Sequence, residues 1–280
     1  MKFKKFFANK RKEDLHYSLP SETRKEISID EAVKLLKIEC SQATNNIPLY
    51  RGTLSSYDYF ILDPSKRVRK GTSDTNVTNY LVDYSPKWKD YPKRNKSVIF
   101  SSANEVSYYG NSYRVFPFDN AKIAVCNSSD FWGSLNIEIE SLNSILRNAG
   151  FRGSNVKDWL SFKEQVSRIE KNPKFPEIFN RYFIVDIRQT KNRSEKVKIT
   201  QTKNDILDRI LNGEKFINIM LNYIKRPEEY KMSLKNISGS LEEYRNKDKE
   251  MWTDSKCLLI NEIIFSKKTK FLPYRNKYEE

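Results

Sequence analysis

Three short segments each set a polar side chain at the edge of an apolar run. Leu49-Tyr50-Arg51-Gly52-Thr53 offers an arginine, Val98-Ile99-Phe100-Ser101-Ser102 a pair of hydroxyls, and Asn261-Glu262-Ile263-Ile264-Phe265 a carboxylate. A guanidinium grips phosphate or pyrophosphate through paired, charge-assisted hydrogen bonds, and a glycine beside it lets a ligand approach the backbone. A serine hydroxyl can orient a carboxylate, or simply cap a helix. A carboxylate in an apolar strand costs free energy unless it is paired or used, and one use is to stabilise a sugar cation. Arginine, hydroxyl and carboxylate in this order point to chemistry on a dinucleotide. Each has a plainer reading too: Arg51 as a surface residue at a strand end, Ser101-Ser102 as a helix cap, Glu262 as the water-facing residue of an edge strand.

Other chemistries are thinly supplied. The only histidine is His16, in a charged N-terminal segment, so a Ser-His-Asp triad or a multi-histidine metal site is not expected. Cys40, Cys126 and Cys257 are isolated and odd in number, which argues against a zinc site or a disulfide framework and for buried or free thiols. With only 8 glycines in the chain, a glycine-rich phosphate loop is not expected.

These residues need elements to position them. Ser28 with Glu31 forms a capping-box pattern that starts a helix running to Asn45-Asn46 and Pro48. Leu49–Tyr59 reads as a strand entering a loop, and 63–79 and 87–96 as exposed polar and basic loops. Ser97–Phe100, Tyr113–Phe118 and Lys122–Cys126 read as strands, with one or two helical turns over Asn104–Tyr109 closed by Gly110. Helical patterns follow over Leu135–Leu146, 155–170 and Asn204–Ile224, the last weakened by Gly213. Arg181–Ile187 is a strand or a buried helix. Residues 226–256 are charged and poorly patterned. Cys257–Phe265 and Lys270–Tyr274 read as strands, with Glu262 on the face of Ile260 and Ile264. Sheet signals before 126 and after 256, with helices between, predict an α+β fold. A basic arm over 1–26 precedes one domain over 27–280 that carries a helical insertion at about 133–245.

Read together, the three segments resemble the ADP-ribosyltransferase superfamily, in particular its arginine-serine-glutamate class. In that class an arginine lies on the first core strand, a serine motif follows a later strand, and a catalytic glutamate begins a strand. Tyr50-Arg51-Gly52-Thr53 is similar to the arginine motif, Phe100-Ser101-Ser102 to the serine motif, and Glu262-Ile263-Ile264 through Thr269 and Phe271 to the glutamate segment. The resemblance leaves residues 1–26 and 133–245 without counterpart. It implies a split β-sheet core and NAD as the ADP-ribose donor, with no metal. Glu262 would be the catalytic carboxylate and Ser101 its holder. Arg51, Gly52, Thr53, Ser102 and Tyr109 (or Tyr108) would line the dinucleotide site. Glu250, before Met251-Trp252, is a weaker rival to Glu262, and Glu138-Ile139-Glu140 sits in a helical context that rules it out. Members that modify protein arginines usually carry glutamate two residues before the catalytic one; Ile260 stands there.

Composition bears on the acceptor. The chain has 280 residues, 38% hydrophobic, with 51 Lys+Arg against 36 Asp+Glu and a net charge of +15. Such an excess steers binding to nucleic acid or to an acidic partner, although an AT-rich coding bias gives the same drift. Trp88, Tyr91 and Trp252 among lysines and arginines suit base stacking, so Trp88 and Trp252 are the expected acceptor contacts. The expectation is an intracellular toxin or defence effector that modifies nucleic acid, RNA ahead of DNA, with a protein target or an acidic antitoxin as alternatives. A non-catalytic basic nucleic-acid-binding or phage structural protein is the alternative of another class. No apolar run suggests a signal or a membrane span, so a cytoplasmic protein with no membrane partner is expected.

Overall fold

The structure is a computed structural model that describes residues 24–66, 77–104, 106, 109–135, 137–152, 156, 158–183 and 193–274. It is a mixed helical and antiparallel-sheet fold. The strands are β1 (Arg24–Glu26), β2 (Tyr50–Thr53), β3 (Tyr59–Leu62), β4 (Val98–Ser101), β5 (Asn111–Pro117), β6 (Lys122–Val125), β7 (Ser233–Asn236), β8 (Glu250–Thr253) and β9 (Cys257–Asn261). They lie in the order β1-β3-β9-β5-β2-β4-β8-β6-β7. One junction is weak: β2 and β4 share the single pair Tyr50↔Ser101, whereas β2 and β5 share four pairs. The sheet is therefore two half-sheets meeting at a seam.

Two cores pack on the sheet, and the first runs under both halves, taking in Val98, Phe100, Ile123 and Met251 as well as the β3, β5 and β9 side chains. Around β3, β5 and β9 pack Ala32 and Leu36 of α1 (Ile29–Ile38), together with Phe265 and Phe271 from the C-terminal segment. Ser28 caps α1 by accepting the Glu31 N–H at 3.2 Å, while the Glu31 carboxylate turns to Lys25 instead of closing the capping box. The second core joins Trp252 and Ala124 to a helical layer. That layer is α2 (Val77–Tyr84), α3 (Ile137–Asn148), α4 (Trp159–Glu170), α5 (Phe175–Tyr182), α6 (Arg193–Leu211) and α7 (Phe216–Tyr223). The helices between β6 and β7 pack on the sheet through this shared core. Cys40, Cys126 and Cys257 are buried free thiols, each pushed up from the usual thiol range chiefly by burial.

Several expectations need correction. The arm does not run to residue 26, because Arg24–Glu26 pair with β3; residues 1–23, His16 included, lie outside the described part. α1 stops at Ile38, with a separate turn at Ser41–Thr44. β3 falls between the segments to which the sequence assigns an element, and β7 and β8 fall in the stretch read as unpatterned. The 63–79 loop holds a 3-10 turn at Pro64–Lys66 and the start of α2 at Val77, with 67–76 outside the described residues. The helix expected over 204–224 is two helices that break at Gly213, where φ is +82° and a side chain would be strained. Lys270–Tyr274 is 3-10 helix, and Cys257–Phe265 is strand only as far as Asn261. There the Asn261 carboxamide oxygen accepts the Ile263 N–H at 3.0 Å and caps α8 (Glu262–Lys267).

Candidate active site at the sheet seam

Residues paired across antiparallel strands project to the same face. One such row crosses the seam: Glu250 pairs with Ser101, Ser101 with Tyr50, Tyr50 with Arg114, and Arg114 with Ile260. It sets a carboxylate, a hydroxyl, an aromatic ring and a guanidinium side by side. Arg51 reaches over the gap, its Nη1 donating to the Ile99 carbonyl of β4. A cation on one half-sheet thus leans on the edge strand of the other, although Arg51, next to Tyr50 on β2, starts from the opposite face to the Glu250–Ser101 row.

The serine pair fastens a turn. Ser101 Oγ donates to Asp248 Oδ1 at 3.2 Å and accepts the Ala103 N–H at 3.0 Å. Ser102 Oγ accepts the Lys249 N–H at 3.1 Å, and its own N–H donates to the Lys249 carbonyl at 3.3 Å. Asp248 adopts φ 45°, a left-handed conformation that costs a non-glycine residue free energy. These bonds hold the turn that delivers Glu250 to the start of β8.

Glu250 is anchored from the helical side. Its Oε1 accepts from Arg94 Nη2 at 2.5 Å and its Oε2 from the Phe131 N–H at 3.0 Å. Arg94 is buried, its guanidinium 3.9 Å from the Phe131 ring centroid and 4.9 Å from that of Trp252. Asp83 completes the anchor by accepting the Arg94 N–H at 2.6 Å and the Asn95 N–H at 2.8 Å. Burial pushes the Asp83 carboxyl up to about 6 against the opposing pull of those bonds. A carboxylate has about four acceptor sites, so Glu250, 14% exposed, keeps lone pairs for a further donor.

Glu262 lies elsewhere. It starts α8, not a strand, and its carboxylate is held bidentately by Arg114, at 3.0 Å from Nε and 2.9 Å from Nη2. Arg114 is itself packed between the rings of Tyr50 and Phe265, at 4.8 and 4.9 Å. Ser101 therefore engages Asp248, and not Glu262 as the sequence suggested; β2 and β5 stand between β4 and β9. Ile260 is a fully buried core residue.

The remaining expected site residues divide. Gly52 is needed: a Cβ there would lie 2.1 Å from the Val106 carbonyl oxygen and 2.7 Å from Tyr109 Cβ. Tyr109 is 66% exposed above it, and Tyr108 lies outside the described residues. Thr53 is buried and accepts from Arg24 Nη2 at 3.4 Å, a structural contact. Trp88 and Trp252 are 1% and 0% exposed, with indole N–H groups donating to the Lys225 and Pro92 carbonyls. Neither has a free face, which corrects their assignment as acceptor contacts. The 87–96 loop is likewise packed: Lys87 Nζ donates to the Asn222 and Ile224 carbonyls, and Arg94 is buried.

Sequence reasoning missed Arg94, Asp83 and Arg114 as members of these networks. The one local signal was an arginine flanked by Trp88, Tyr91 and Pro92, an aromatic surrounding that favours a stacked guanidinium. Among the described residues no group of acidic, histidine and cysteine side chains could hold a metal ion, and no helix is long and apolar enough to cross a membrane. Comparison of the chain with protein-family profiles, curated proteins and solved structures finds no match.

Proposed function

We propose that the chain is an NAD-dependent mono-ADP-ribosyltransferase of the arginine-serine-glutamate type, with Glu250 in place of Glu262 as its catalytic carboxylate. The observation that carries this reading is the strand-opening Glu250 directly opposite Ser101, with Arg51 across the seam. The split sheet expected of that superfamily is consistent with the one-pair junction between β2 and β4.

In this reading Arg51 grips the pyrophosphate through the paired, charge-assisted bonds a guanidinium offers to phosphate oxygens. Tyr109 covers the nicotinamide end, and Gly52 leaves the space beneath it. The C–N bond between ribose and nicotinamide breaks, and its electron pair leaves with nicotinamide. Glu250 accepts a ribose hydroxyl bond and stabilises the oxocarbenium-like centre electrostatically. The acceptor nucleophile then adds to that carbon and loses its proton. Ser101 positions Glu250 through the Asp248 turn, a role one residue removed from the one expected for it.

The acceptor proposed is nucleic acid, RNA ahead of DNA, on the net charge of +15. Ile260 no longer bears on this choice once Glu250 is the catalytic residue. A second reading, a protein acceptor, is favoured by Asp248. It is an acidic residue two places before Glu250, where arginine-modifying members carry glutamate. The test is to incubate purified protein with labelled NAD and with total RNA, DNA or cell lysate, and digest each product with nuclease or protease. NAD consumption lost in Glu250→Gln and label released by nuclease are expected. Turnover equal to wild type in Glu250→Gln, or no turnover by wild type, sinks the enzyme reading. Label that resists nuclease and yields to protease transfers the assignment to a protein target.

A further inference from the structure

We propose that Tyr84 and Trp159 form a stacking platform for an unstacked base of a single-stranded nucleic acid, with Lys163 and Lys93 beside it to meet the phosphates. The proposal deepens the nucleic-acid reading above and rests on it for its biological role. Tyr84 ends α2 and Trp159 opens α4; their rings are 4.1 Å apart and 7° from parallel. Trp159 stacks in turn on Phe162 at 5.3 Å and 19°, and Phe162 on Tyr80 at 5.1 Å and 20°. These four rings make a ladder that runs from the core, where Phe162 and Tyr80 are buried, to the surface, where Tyr84 is 46% exposed. Near-parallel stacking of this kind is how a base adds to an aromatic side chain, and the ladder ends in the half-exposed Tyr84, over whose ring the flexible Lys93 side chain reaches.

The charge beside the ladder fits the same partner. Lys163 Nζ lies 5.9 Å from the Trp159 ring centroid and Lys93 Nζ 5.9 Å from that of Tyr84; the Lys93 ammonium spends one of its three N–H donors on the Asp83 carbonyl. Of the neighbouring carboxylates, Asp83 accepts the Arg94 and Asn95 N–H groups, and Asp158 caps α4 by accepting the Ser161 N–H. An acidic peptide would find the lysines but gain little from a flat ring ladder; a base with its phosphate uses both. The platform also joins the seam: Tyr84 follows Asp83, Asp83 holds the Arg94 backbone, and Arg94 holds Glu250. Trp88 and Trp252 are buried and cannot take the stacking role that the exposed Tyr84, backed by Trp159, can take.

The experiment measures binding of a fluorescein-labelled 12-nucleotide single-stranded RNA by anisotropy, with the same strand annealed as a duplex for comparison, and NAD hydrolysis in parallel without acceptor. Single-strand binding weaker by about 5- to 150-fold is expected for Tyr84→Ala, the range for losing one base-stacking side chain. Lys163→Glu, at an exposed position, should weaken binding and flatten its salt dependence without touching the fold. Circular dichroism checks that Tyr84→Ala folds, and Tyr84→Leu serves if it does not. Affinities of the Tyr84 variant and of Lys163→Glu both within about two-fold of wild type, or preference for the duplex, overturn the platform. NAD hydrolysis unchanged in these variants while RNA binding falls supports it. RNA binding that falls as expected in a protein inert towards NAD sinks the transferase reading and leaves the platform standing.

Discussion

Replacing Glu262 by alanine separates a structural carboxylate from a catalytic one. The substitution removes the two charge-assisted bonds that Glu262 makes to a guanidinium 4% exposed between the Tyr50 and Phe265 rings. Removing one partner of a buried ion pair costs about 3–5 kcal/mol, because the charge left behind has no water to return to. Against a total stability of about 5–15 kcal/mol that is a large fraction. At about 2–4 °C per kcal/mol for a domain near this size, the midpoint of thermal unfolding falls by roughly 10 °C. The charge-free double variant Arg114→Met with Glu262→Leu should recover most of the loss, since apolar side chains fill the slot between two rings without a desolvation cost. The assay pairs urea unfolding with NAD turnover per folded molecule. Recovery of both stability and turnover is expected. A double variant that folds like wild type and has no turnover refutes the structural assignment of Glu262 and restores it as the catalytic residue.

Three further outcomes follow from the geometry. Glu250→Gln keeps the shape of the side chain and an acceptor for Arg94, and should lower NAD turnover by roughly 100-fold or more with the fold intact, as judged by circular dichroism. Gly52→Ala drives a methyl group into the Val106 carbonyl. It should cost about 1–3 kcal/mol in urea unfolding and raise the KM for NAD by displacing Tyr109. The Asp83 carboxyl, raised to about 6 in the folded chain from an ordinary 3.8, favours the folded state when protonated. Its contribution is fully present below pH 3.8 and lost as pH rises through about 6. At about 1.4 kcal/mol per pH unit the change is about 3 kcal/mol, and it should vanish from the pH–stability profile of Asp83→Asn.

The legible parts of the sequence were those fixed by local pattern. Val98–Ser101, with alternating burial, and the broad helical face of Ala32 and Leu36 are readable because the residues that bury them repeat at the period of their own element. β8 was hidden because it is four residues long between Asp248-Lys249 and Asp254-Ser255-Lys256. What buries it is β4 on one side and β6 on the other, neither near it in sequence. Glu262 misled for the opposite reason. Ile263 and Ile264 carry strong strand preference, yet Asn261 supplies a helix cap, and the cap together with Phe265 packing on Phe116 decides the local structure. Trp88 and Arg94 looked solvated among lysines; only the tertiary fold reveals that the loop folds inward over Phe131 and Trp252.

The place of β8 in the sheet has a consequence for how the chain is made. β8 fills the slot between β4 and β6, and every helix of the layer except α2 is synthesised after β6 and before it. Until residue 253 has left the ribosome, the nascent chain holds two facing strand edges with nothing between them, and Arg94 has no carboxylate to meet. Non-local closure of this kind is slow, and open edges recruit other strands. A chain made or cut short of residue 250 therefore lacks the Glu250 end of the seam, and the centre cannot assemble before β8 has emerged.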